Sequence, residues 1–275
     1  MENNMVTEHH QITSIAIVDM LPDGERGTAR RLEEHLTGLQ ARQCTELNTY
    51  RLRISSADQF LTMMDELASK CARGEEVPML HLEAHGSPSG LLGADGKTIL
   101  WRDVACSMTR INKASGHNLI VVMSTCYGFW LHTTLNIHAP APFAILIAPN
   151  SEVTVAQVEL ATERFYEGMS AGLNLTEAFD RYLPHHQYLS SLGFFWGKWS
   201  KAYSPFATSR KLTKVREGIL TYALQRADVA PRTARARIKE LVVPELTLIF
   251  ERSQQAFFHG ETPLSLADLE RQIKR

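Results

Sequence analysis

A chain of 275 residues, 44% apolar and 21% charged, has the balance of a globular protein with a sizeable core. Its formal net charge of −1 gives no reason to expect nucleic acid or an anionic membrane surface as a partner. From Lys201 onward fourteen Lys/Arg face eight Asp/Glu, but these charges are interleaved with apolar residues and read as a solvated helical surface. The segment from Met1 to Gln11 is polar and lacks the apolar stretch of a signal peptide, and no apolar run reaches the length of a membrane span. Four cysteines (Cys44, Cys71, Cys106 and Cys126) show no C-x-x-C pairing and read as free thiols. A cytoplasmic location is the expectation.

In chain order, Ser14 to Met20 is a β-branched run and the first strand. A helix follows from Gly27 to Leu39, with Leu32, Leu36 and Leu39 at helical spacing, and Cys44 to Arg53 alternates as a second strand. Ser56 and Gln59 form a capping box that opens a second helix, its buried face supplied by Phe60, Met63, Met64 and Leu67. Val77 to Ala84 is the third strand and runs into His85-Gly86. A hairpin turning at Asp95-Gly96 leads to a helix from Trp101 to Ile111. Leu119 to Thr125 is the most apolar strand, as at the centre of a parallel sheet, and a helix is expected from Tyr127 to Leu135. Pro142 to Ala148 is the fifth strand and Val155 to Met169 a helix. The aromatic stretch Phe194 to Phe206 reads as a loop or short strand, and the remainder as a helical appendage with Ser265 capping a last short helix. Two domains are expected, residues 1–206 and 207–275.

Strands alternating with helices give an α/β fold, a doubly wound, mostly parallel sheet flanked by helices. In such sheets the active site lies beyond the carboxyl ends of the strands, which selects the ends at Met20, at His85-Gly86 and at Cys126-Tyr127. His85 and Cys126 each follow a strand, and if those strands are neighbours both side chains emerge on one edge. A histidine can hold the proton that a thiol must lose to become a nucleophile. The N-terminus of the following helix would favour the thiolate, Gly86 would admit a substrate backbone, and the Gly86 and Cys126 N–H groups can face a developing oxyanion. Glu83 shares a strand face with His81 and His85, where a carboxylate can orient a histidine. His81, Glu83 and His85 are too few ligands for a metal site, and no metal or other cofactor is expected. No Walker-type loop is present, and position 132, where a phosphatase loop needs Arg, is His.

The strings LHLEAHG, Leu80 to Gly86, and IVVMSTCYG, Ile120 to Gly128, resemble the two signatures of caspase-like (clan CD) cysteine peptidases. In that group one apolar strand ends in His-Gly and a second in the nucleophilic Cys. The Asp-Gly hairpin with its Trp-headed helix, Leu91 to Asn112, and the segment from Phe165 to Ala178 are similar to the CHAT branch. The resemblance covers roughly Ser14 to Tyr182. It implies a caspase-like fold, peptide hydrolysis by a His85–Cys126 dyad without cofactor, a protein or peptide substrate, and control by an activating protein or protease. It also implies a setting in bacterial defence or cell death. The first specificity pocket would be walled by the residue two before the nucleophile, here Ser124, and by the end of the first strand, which offers Asp19 and then Asp23, Glu25 and Arg26. Asp19 either binds a basic substrate side chain or caps the next turn. The rival reading is a catalytically silent binding or scaffold module of the same fold.

Overall fold

The computed structural model describes residues 12–25, 27–43, 47–207 and 247–265. Strand β1 (Ser14–Asp19), helix α1 (Thr28–Gln43), β2 (Asn48–Arg53), α2 (Ala57–Ala72) and β3 (Pro78–Glu83) come first. The short strands β4 (His85–Ser87), β5 (Gly90–Leu92) and β6 (Thr98–Leu100) lead to α3 (Trp101–Ala114) and β7 (Ile120–Ser124). A 3-10 helix (Gly128–Thr134), β8 (Ile145–Pro149), α4 (Val155–Ser170), α5 (Leu175–Tyr182), β9 (His186–Ser190) and α6 (Ser191–Ala207) complete the named elements. Residues 247–257 form a further helix.

The main sheet has six strands in the order β2-β1-β3-β7-β8-β9, parallel throughout except for β9, which runs antiparallel to β8. This mixed α/β architecture is consistent with the caspase-like fold that the motifs imply. One face of the sheet, with Ile15, Ile17, Met79, Ile120, Val122, Ile145 and Ile147, packs under α1, α4 and α5. Residues of the opposite parity, such as Ala16, Val18, Leu80, Leu82 and Val121, are equally buried. A second helical layer is therefore required, and α2 and α3, which pack on each other, supply it. The three short strands form a separate antiparallel sheet, β4-β5-β6.

Several elements depart from the sequence reading. Strand β9 has no counterpart there, because its polar sequence, His-Gln-Tyr-Leu-Ser, carries little strand signal. The stretch read as a loop or short strand at Phe194 to Phe206 lies within α6. The chain forms two compact units, Met1–Leu135 with Ala141–Ser191, and Asn136–Pro140 with Leu192–Arg275. The division at Leu192 precedes the 206/207 boundary because α6 contributes aromatic side chains to the second unit. There Phe195 meets Trp199, Phe250, Phe257 and Phe258 with ring centroids 5.1–6.3 Å apart. Residues 208–246 and 266–275, and with them most of the expected appendage, lie outside the described residues. Among those described, no helix is long and apolar enough to cross a membrane.

Candidate active site

The register of the sheet sets the site. Asp19, Glu83 and Ser124 stand side by side on β1, β3 and β7, so the three strands end level with one another. Beyond Glu83 the chain passes through Ala84 and enters β4 at His85; beyond Ser124 it passes through Thr125 to Cys126. Thr125 is buried, and its hydroxyl points to the Leu82 carbonyl at 3.4 Å.

Gly86 shows how closely the two segments approach. A Cβ placed there would lie 2.2 Å from the Cys126 carbonyl oxygen and 2.6 Å from Thr125 Cγ2. No side chain fits, so the protein's own backbone already requires glycine here, whatever a substrate demands. Strand β4 is held from behind as well. Trp101, the first residue of α3, donates its Nε1–H to the Ser87 carbonyl at 3.1 Å and its backbone N–H to Ser89 at 3.3 Å.

Cys126 is partly buried. Its sulfur lies against the loop before α4, accepting from the Val153 N–H at 3.4 Å, with the Val153 carbonyl 3.6 Å away. The helix expected directly behind it, Tyr127 to Leu135, forms as a short 3-10 helix, Gly128–Thr134, and not as an α-helix. Tyr127 takes a left-handed conformation, φ 58° and ψ 15°, and the following residues wind as a short 3-10 helix. Seven residues of 3-10 helix offer a weaker dipole than the full helix expected. A left-handed non-glycine residue is an uncommon strain, and here it directly follows the candidate nucleophile. Its hydroxyl approaches Glu152 at 3.4 Å, and the charge of Glu152 pushes the phenol upward from its ordinary range.

His85 is half-exposed, and its Nε2 bonds to Glu25 Oε1 at 2.8 Å. Glu25 stands in the loop after β1, so the orienting carboxylate at His85 is Glu25 and not Glu83. Glu83 instead serves His81. The His81 ring is fully buried, with Nε2 3.2 Å from Glu83 Oε1 and Nδ1 3.1 Å from the Tyr166 hydroxyl. Burial, then the charge of Glu83, pushes the Tyr166 phenol upward, so it stays protonated. Glu83 Oε2 accepts from Thr28 at 2.7 Å, and Ser124 Oγ lies 3.3 Å from His81 Nε2. Among the described residues no three His, Cys, Asp or Glu side chains converge to hold a metal ion.

Asp19 is both a turn cap and an ion-pair centre. Its Oδ1 accepts from Leu21 N–H at 3.3 Å and from Arg53 at 2.8 Å, and its Oδ2 from Arg51 at 2.8 Å. Arg51 in turn bonds to Glu33, and Arg53 reaches Asp23 at 2.6 Å. The chain's own guanidiniums therefore occupy the carboxylate that a basic substrate side chain would need. Arg26 lies outside the described residues. The sequence carried no signal for the Val153 contact or the Trp101 clamp. Glu25 was visible only as one acid in a group of strand-end residues.

No family model matches the chain, and no curated protein matches it in sequence. Among solved structures it is similar to a secreted C11 cysteine protease from Bacteroides thetaiotaomicron, iotapain, at 7% identity and a TM-score of 0.44. The similarity covers 62% of this chain and 60% of that one. The functional reading stands on the arrangement of His85, Cys126 and their neighbours.

Proposed function

We propose that the protein is a cysteine endopeptidase acting through Cys126 and His85. The observation that carries this reading is the contact of Gly86 with the Cys126 carbonyl, which brings the residue next to His85 against the cysteine itself, at the shared edge of β3 and β7. In the proposed cycle His85 takes the Sγ proton and the sulfur attacks a peptide carbonyl carbon. The Gly86 and Cys126 N–H groups are assigned to the oxyanion. Collapse breaks the C–N bond as His85 protonates the amine, leaving a thioester. Water attacks that thioester, His85 accepts its proton, and the C–S bond breaks to restore the thiol. A thiolate at this position keeps the Val153 N–H as a donor. Ser124 and Asp19 remain the proposed walls of the first specificity pocket. With Asp19 tied to Arg51 and Arg53, it contributes shape more than charge, and the pocket favours small or apolar residues. A protein or peptide substrate, an activating protein or protease, a cytoplasmic setting and a CHAT-like role in defence or cell death complete the proposal, and these rest on the sequence resemblance.

A second reading is favoured by one specific feature. No hydrogen bond joins Cys126 to His85: the sulfur sits on Val153 and the imidazole on Glu25. A silent scaffold of the same fold would look like this, and so would a resting enzyme whose catalytic contact tightens on substrate. A proteome-derived peptide library cleaved by the wild type, and left intact by both Cys126→Ala and His85→Ala, supports the peptidase. An uncut library, tested with candidate activators present, selects the scaffold.

A further inference from the structure

We infer that Glu25 is a positioning residue for His85, the third member of a Cys126–His85–Glu25 relay; this rests on the peptidase reading above. Glu25 Oε1 accepts from Nε2 at 2.8 Å, so Nε2 carries the hydrogen and Nδ1 is left as the nitrogen that takes the thiol proton. Among the described residues Nδ1 has no other partner. A lone imidazole on a half-exposed strand rotates freely about its χ angles; the carboxylate restricts it to one ring orientation.

The loop that delivers Glu25 has defined geometry. Pro22 to Glu25 is a four-residue turn closed by the Glu25 N–H on the Pro22 carbonyl at 3.3 Å, with Gly24 at φ 90° in the position that demands a left-handed residue. The Gly27 N–H also meets the Glu25 carbonyl at 2.7 Å. Asp23, at the turn's tip, is tied to Arg53, and Arg53 to Asp19 at the end of β1. Glu25 is thus fixed to the same strand ends that carry His85 and Cys126, although 60 residues separate it from the histidine. The neighbouring buried acids do not compete for this role, since Glu83 is engaged with His81 and Thr28 and Asp19 with two arginines.

The test compares full-length wild type, Glu25→Ala and Glu25→Gln by three readouts: thermal melting, peptide hydrolysis, and the rate at which iodoacetamide alkylates Cys126. Glu25→Ala should leave melting unchanged. It should lower kcat by about tenfold with KM unaltered, as when a group orienting a functional histidine is lost. Cys126 alkylation should slow by a similar factor. Glu25→Gln, which keeps an acceptor, should recover most of both rates. Wild-type rates in Glu25→Ala, or a Gln variant no better than the Ala variant, would overturn the assignment. If no variant hydrolyses peptide yet the alkylation contrast holds, the peptidase reading fails and the Glu25–His85 relay stands.

Discussion

Two histidines on one stretch of chain each pair with a carboxylate, His81 with Glu83 and His85 with Glu25, at nearly the same distance, 3.2 and 2.8 Å. Their settings differ completely. His81 belongs to β3, is sealed beneath α4, and is bonded on both ring nitrogens. His85 opens β4, is half-exposed, and keeps one nitrogen open. The break at Ala84, where the chain leaves the main sheet for the small one, separates them. Composition alone does not distinguish the two pairs. Reach and an unused nitrogen do, and each pair should fail in its own way when disturbed.

The largest effect belongs to the surface pair. Cys126→Ala and His85→Ala should each lower peptide hydrolysis by roughly 10³-fold or more, with the double variant no worse than either, because residues acting as a unit are not additive. Melting should barely change in the His85 variant. The buried pair should behave oppositely. His81→Leu strands the Tyr166 hydroxyl and one oxygen of Glu83, and urea unfolding should show a loss of about 3 kcal/mol. If His81→Leu spared stability and removed activity, the contrast between the pairs would collapse.

Acid sharpens the same comparison. Burial, and then the nearby His81, pushes the His186 imidazole down to about 4. In the unfolded chain it titrates near its ordinary value of about 6.5, so between those values the unfolded state binds the extra proton. Stability present above pH 6.5 should therefore fall as pH drops towards 4, by up to about 3 kcal/mol from this residue. His186→Asn should flatten that window in a pH series of melting curves; an unchanged slope would assign the acid sensitivity elsewhere. The smallest effect concerns the loop tether. Arg53→Ala frees Asp23, and kcat should fall about two- to threefold, in keeping with a partly exposed ion pair. A loss as large as that of Glu25→Ala would make the tether, not the carboxylate, the source of positioning.

The central strands and the placement of His85 and Cys126 were legible because long apolar runs in a parallel sheet are unambiguous and strand ends mark its active edge. What escaped the sequence was geometry set by distant contacts. Glu25 meets His85 only because the turn at Pro22 to Glu25 folds back, and nothing local to His85 announces it. Phe194 to Phe206 carries Gly193 and Gly197 close by among bulky aromatics, a composition with weak helical propensity, yet burial of Phe195 and Trp199 makes it helical. Glu83 was legible as an acid sharing a strand face with His81 and His85, and it does orient one of them, His81. The alternation ends at Ala84, where a second sheet begins.

The most direct test of the account is competitive labelling. With substoichiometric iodoacetamide at neutral pH, exposure alone favours Cys106, which is exposed, over the partly buried Cys126. Cys71 is buried and its thiol is pushed up to about 11, so it should react last. Mapping the modified peptides, Cys44 included, should show Cys126 labelled first, and its advantage should disappear in His85→Ala. Fastest labelling at Cys106 with Cys126 untouched, or a Cys126 rate indifferent to His85, would contradict the dyad.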